Sequence, residues 1–122
     1  MQHFTKLDVW KRSHSLTLAI YDLTKTFPSD ERFGLISQLR RAASSVPTNI
    51  AEGAKRRTSS EFARFLNIAE GSLSEVEYLL LLSRDLSYAR AEQLRSLFKE
   101  VSEIARMLYA LRSRVEATQP RS

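Results

Sequence analysis

The chain has 122 residues, enough for one domain with a core of its own, and its 43% apolar and 27% charged residues are ordinary for a soluble globular protein. It has no cysteine, which excludes disulfides, thiolate zinc sites and cysteine nucleophiles together and fits a reducing compartment. The net charge of +5 is not spread along the chain: residues 1–31 and residues 65–122 are each balanced, and the whole excess falls within Arg32–Arg64, where seven basic residues meet only Glu52 and Glu61. A positive surface confined to one segment points to a polyanionic partner.

The elements read as helices from end to end. Three glycines and three prolines leave little material for the turns of a sheet. The first helix is predicted from about Asp8 to Thr26, with Trp10, Leu16, Ile20, Leu23 and Phe27 on its apolar side. Phe27-Pro28 ends it, because the residue before proline is pushed out of the α region. Ser29 is the expected N-cap of a second helix running from about Asp30 to Ala54, with Asp30 and Glu31 at the positive end of its dipole. Ile36, Leu39, Ala43, Val46 and Ile50 form its seam. Pro47 lies in that seam and predicts a kink near Ser44, because it lacks an amide donor and crowds the carbonyl four residues back. Gly53 and the basic run Lys55-Arg56-Arg57 close the helix.

The third helix starts at Thr58, where Thr58-x-x-Glu61 forms a capping box ahead of Phe62, Phe65, Leu66, Ala69, Leu73, Val76 and Leu80. Its Leu79–Leu82 run is apolar on every side, which predicts a second cover from a neighbouring subunit over Leu79, Leu80 and Leu81. The fourth helix runs from about Arg90 to Glu116 and has the most regular stripe, Leu94 through Val115. A frayed tail is expected over residues 118–122. Short connections make sequential helices antiparallel, so the predicted fold is all-α: a single-domain up-down-up-down four-helix bundle. The pentapeptide NIAEG occurs at Asn49–Gly53 and at Asn67–Gly71. A glycine inside a helix costs about 1 kcal/mol against alanine, so both copies predict close helix approach.

Four stretches carry a family resemblance: FTKLDVW at Phe4–Trp10, YDLTKTFP at Tyr21–Pro28, GLISQLRRAASSVPTNIAEG at Gly34–Gly53 and FARFLNIAEGSLSEVE at Phe62–Glu77. Together they resemble a bacterial four-helix-bundle family. Some of its members are encoded in intervening sequences of 23S ribosomal RNA genes, and a related branch is the accessory variability protein of diversity-generating retroelements, a partner of reverse transcriptase. The resemblance implies a homo-oligomeric ring, usually a pentamer, with a basic surface for nucleic acid. The chain departs from the family after Glu77: Ser87 stands where glycine is common, and the fourth helix starts without the usual acidic cluster.

The candidate nucleic-acid-binding residues are Arg40, Arg41, Lys55, Arg56, Arg57 and Arg64, as phosphate contacts with little sequence preference. The same charges could instead form a solvated face or pair with carboxylates of a neighbouring subunit. No aromatic residue is interleaved with Lys55–Arg57 in the sequence, which argues against base stacking there. Asn49 and Glu52 flank the expected kink and are candidates for fixing subunit register, beside Glu70 and Glu75. His3 and His14, the two histidines, lack the Glu-x-x-His spacing of di-iron bundles, and no nucleophile–base pair or glycine-rich phosphate loop is present, so neither a metal, a cofactor nor catalysis is expected. The leading expectation is therefore a non-enzymatic RNA- or DNA-binding bundle. The alternative is a protein–protein adaptor serving a nucleic-acid enzyme. Without an apolar stretch behind a basic start, and with Leu79–Leu82 far short of the roughly 20 residues of a membrane span, no signal or membrane segment is expected and the cytoplasm is the default location.

Overall fold

The computed structural model describes residues 3–118. After a 3-10 turn at Phe4–Lys6 come α1 (Asp8–Thr24), a 3-10 turn at Ser29–Glu31, α2 (Leu35–Ala54), α3 (Ser59–Asp85) and α4 (Ala91–Ala117). The four helices form an antiparallel bundle. α2 packs on α1 and α3, and α4 packs on α3 and closes the cycle against α1. The bundle axis is filled by side chains with almost no exposure, among them Leu16, Ile20, Leu39, Ile50, Leu66, Leu80, Ile104 and Leu108. The expected tail, apart from Thr118, lies outside the described residues.

Two helix boundaries differ from expectation. α1 ends at Thr24, and the Lys25 amide turns back to the Asp22 carbonyl. α2 starts at Leu35, and Ser29 makes no side-chain cap. The cap is supplied by Glu31, whose carboxylate accepts from the Leu35 amide at 3.2 Å and from the Tyr88 hydroxyl at 2.9 Å. That second bond favours the neutral phenol and raises the Tyr88 pKa. It also ties the α1–α2 connection to the α3–α4 connection at one pole of the bundle, where Phe27 and Tyr88 pack with ring centroids 5.4 Å apart.

α2 continues as one helix through Pro47. A proline at this position deprives the Ala43 carbonyl of its partner in the same helix. The Thr17 hydroxyl of α1 lies 3.1 Å from that carbonyl and 2.9 Å from the Ser13 carbonyl, and shares its proton between them. Thr17 is buried, so an orphaned acceptor here would have no water to turn to. The other buried polar side chains follow the same rule: Ser13, Thr24 and Ser83 donate to carbonyls three or four residues back. Among the described residues no buried side-chain donor or acceptor lacks a partner.

α3 ends in a Schellman motif: Tyr88 N–H reaches the Ser83 carbonyl at 2.9 Å and Ser87 N–H reaches the Arg84 carbonyl at 3.0 Å. Ser87, at the position the motif reserves for a left-handed residue, has φ 60°. This is the physical reason glycine is common there.

Inter-helix ion pairs fasten α4 at its two flanks. Arg12 of α1 grips Glu100 through Nε at 2.6 Å and Nη2 at 3.0 Å. This fork holds the Glu100 carboxyl below the usual carboxylate range. On the other flank Arg112 pairs with Glu70 of α3 and with Glu116 of its own helix. Glu70 is thus an internal α3–α4 clasp.

Candidate nucleic-acid interface

The basic cluster occupies the sharp corner between α2 and α3, and its shape begins with Gly53. A Cβ there would lie 2.7 Å from Phe65 Cβ and 3.0 Å from Phe62 Cδ1, so only glycine lets the end of α2 come this close to the start of α3. The second NIAEG glycine behaves differently. Gly71 is exposed with nothing within 4 Å of the corresponding position, so the close approach expected of both copies holds only for the first within the protomer. Beyond Gly53 the chain turns through Lys55, Arg56 and Arg57. Thr58 then caps α3, its hydroxyl accepting from the Glu61 amide at 3.2 Å. Cations just past a helix C-terminus complement the negative end of its dipole.

Two of the four cations of this corner meet on one ring. The guanidinium carbons of Arg56 and Arg64 each lie 4.7 Å from the Phe65 ring centroid, which puts them no more than twice that distance apart although they belong to different elements. Phe65 is buried beneath them. Arg57 is exposed between them in the chain. Lys55 turns to the other side of α2, its Nζ 5.6 Å from the Phe4 ring centroid. Among the described residues Lys55, Arg57 and Arg64 make no ion pair, and Arg56 makes one exposed contact with Glu52 at 3.5 Å. An exposed pair of this kind contributes little and is readily exchanged for another anion.

The other expected residues are placed differently. Arg40 is used in the α1–α2 contact: its Nε donates to Thr24 Oγ1 at 2.8 Å, Nη2 donates to the Tyr21 carbonyl at 3.2 Å, and its guanidinium lies 4.6 Å from the Tyr21 ring centroid. Arg41 is exposed beside Ser37, fourteen residues from Lys55, or about 21 Å along the helix at 1.5 Å per residue. Asn49 donates to the Ser45 carbonyl at 2.8 Å and to Ser45 Oγ at 3.0 Å, and Ser45 Oγ meets Ser72 Oγ at 2.8 Å. These bonds join α2 to α3 within one chain. Glu52 is exposed and Glu75 lines a surface hollow next to Arg41. The all-apolar run of α3 is accounted for largely inside the bundle. Leu79 and Leu80 are 5% and 0% exposed, so neither side chain is available to another subunit, and Leu81 is half-buried. A helix flanked by two neighbours buries a wide arc, and that is the cover the four leucines needed.

One feature was not foreseen from sequence order. A groove of about 550 Å³ runs between α1 and α2, lined by Phe4, Trp10, His14, Thr17 and Tyr21 on one wall and by Ser44, Pro47, Thr48, Ala51, Glu52 and Lys55 on the other. The Trp10 and His14 rings stack at 5.1 Å with 9° between planes, and Phe4 meets Trp10 edge-on at 5.2 Å. The signal was present as spacing: Trp10, His14, Thr17 and Tyr21 step by four, three and four beside the core stripe of α1. Lys55 belongs both to this groove and to the basic corner, so aromatic rings do lie next to the cluster in space.

Among the described residues no group of histidines and carboxylates is placed to hold a metal ion, and no helix is long and apolar enough to cross a membrane. The family model described as 23S rRNA-intervening sequence protein matches residues 5–110. A crystal structure of a protein of unknown function from the S23 ribosomal protein family of Bacteroides thetaiotaomicron is similar, with a TM-score of 0.80 and 27% sequence identity over 86% of this chain and 95% of that chain. No curated protein matches the chain.

Proposed function

Since the chain belongs to the 23S rRNA-intervening sequence protein family, we propose that it is a non-enzymatic helical bundle that holds RNA or DNA by its phosphates at the α2–α3 corner. The observation that carries this reading is the meeting of Arg56 and Arg64 on Phe65, with Lys55 and Arg57 exposed beside them in the chain and only one weak ion pair among the four. Elsewhere Arg12, Arg40 and Arg112 are engaged in joining helices. Backbone contacts of this kind position a protein without reading bases, so little sequence preference follows. A ring of several copies, a pentamer by the resemblance, would repeat the corner around an axis and multiply its hold on a polyanion. Self-association is supported by large exposed side chains such as Phe33, 88% exposed, and Tyr78 and Tyr109.

The test is a titration of labelled RNA and duplex DNA across a salt series. Four phosphate contacts predict a log–log slope of about −3 to −4 on duplex. The combined Lys55→Ala, Arg56→Ala and Arg57→Ala variant should keep its helicity and lose most of the affinity and most of the slope. Unchanged affinity in that variant would refute the corner as the binding surface.

A further inference from the structure

We infer that the α1–α2 groove is a stacking site for an unpaired nucleobase, so that the preferred polyanion is single-stranded, with a base against Trp10 and His14 and its flanking phosphate on Lys55. The inference rests on the phosphate-binding reading of the same corner. Three observations carry it. The groove's volume of about 550 Å³ falls within the range of about 300–1,000 Å³ typical of small-ligand sites. Its α1 wall is made of ring faces and edges rather than branched aliphatic side chains, and its α2 wall presents the hydroxyls of Ser44 and Thr48, which can meet the polar edge of a base. Lys55 lines the groove and lies over Phe4, and it is followed directly in the chain by Arg56 and Arg57 of the basic corner.

The physical chemistry follows from that arrangement. A base stacks on any exposed π face, with a worth of about 1–3 kcal/mol per base that does not depend strongly on its identity. Unpaired bases reach such faces, whereas bases in a duplex are already stacked and their phosphates meet only the basic corner. The one carboxylate lining the groove, Glu52, makes only an exposed 3.5 Å contact with Arg56, so it competes with the phosphate for that cation and Lys55 is the charge left to hold the phosphate at the groove. Phosphate contacts at the corner and stacking in the groove are thus separable contributions to one interface.

Trp10 is the only tryptophan of the chain, so intrinsic fluorescence reads the groove directly. The experiment titrates the full chain with two end-labelled single-stranded oligonucleotides of equal length, one of thymidines and one with abasic sites at the same backbone positions. Label anisotropy and Trp10 emission are recorded together. The inference expects Trp10 quenching by the thymidine oligonucleotide alone and roughly tenfold tighter binding of it than of the abasic one. His14→Ala, at an exposed position, should remove most of that difference while leaving abasic binding unchanged. Thr48→Phe, which fills the groove from an exposed position on the opposite wall, should do the same. Equal binding of both oligonucleotides with steady Trp10 emission would overturn the groove and leave the phosphate reading standing. No binding of either at low salt would overturn both. Trp10 emission that changes with protein concentration and not with nucleic acid would assign the groove to a second copy of the chain and overturn the inference.

Discussion

Replacing Gly53 by alanine isolates the contact that brings α2 against α3. The added methyl would sit 2.7 Å from Phe65 Cβ and 3.0 Å from Phe62 Cδ1, next to the Phe62 carbonyl at 3.3 Å. The first of these atoms is fixed to the α3 backbone and cannot swing aside, so the helices must separate. Overpacking of this kind costs about 1–3 kcal/mol. The higher helix propensity of alanine returns at most about 1 kcal/mol, and less so close to a helix end. The net expectation is a loss of about 1–2 kcal/mol, or several degrees in Tm. Gly71 supplies an internal control, because it has the same pentapeptide before it, lies inside α3 and has open space around it. Gly71→Ala should therefore gain about 1 kcal/mol. Urea unfolding of the two variants, followed by far-ultraviolet circular dichroism, gives the difference directly. Equal shifts of the same sign would refute the packing argument. The displacement should also weaken phosphate binding, since Phe65 is the ring on which Arg56 and Arg64 rest.

Three further outcomes are expected. Ser87→Gly should stabilise the protein by about 0.5–1 kcal/mol in urea melts, because relief of the left-handed strain exceeds the added entropy of the unfolded chain. Thr17→Val should cost about 1–3 kcal/mol by leaving the Ala43 carbonyl without a donor, and less in a Pro47→Ala background where an amide is restored; a double-mutant cycle without coupling would remove the link between Thr17 and Pro47. Glu100→Gln should destabilise at about pH 7, and its difference from the parent should begin to shrink near the unfolded carboxylate value of about 4 and vanish only once the pH has fallen below the depressed folded pKa. Arg12 depresses the folded pKa of Glu100, so the pair's contribution is present above the unfolded carboxylate value and is lost as protons bind.

The helices and their core faces were legible because an amphipathic helix writes its buried side at fixed intervals. Ile20, Leu39, Val46, Leu66 and Leu108 lie on those intervals, and all are buried. Helix starts were legible where the cap is adjacent in sequence, as at Thr58, and misread where a side chain reaches back across a turn, as Glu31 does for Leu35. The leucines of α3 show another limit: a run apolar on all sides states that every side is covered, and not whether the cover is the same chain. The basic cluster was legible as a charge excess. Its extension into a groove was not, since Phe4 and Lys55 are far apart along the chain and only the antiparallel return of α2 puts them side by side. Arg40 and Arg41 are adjacent in sequence but separated by about 100° around the helix, so neighbouring letters served different surfaces.

Every helix packs mainly on the helix before or after it, and only the α1–α4 seam joins distant parts of the chain. That seam is also the thinnest of the four. Such a topology has low contact order and favours rapid folding, with α2, α3 and α4 able to assemble before α1 closes the cycle. It also sets an order of opening. The α1–α4 seam is the one released at least cost, and amide exchange should be slowest along the middle of α3, which packs on two neighbours. The aromatic wall of the groove belongs to α1, so the width of the groove is set by a helix that is held firmly on its α2 side and lightly on its α4 side.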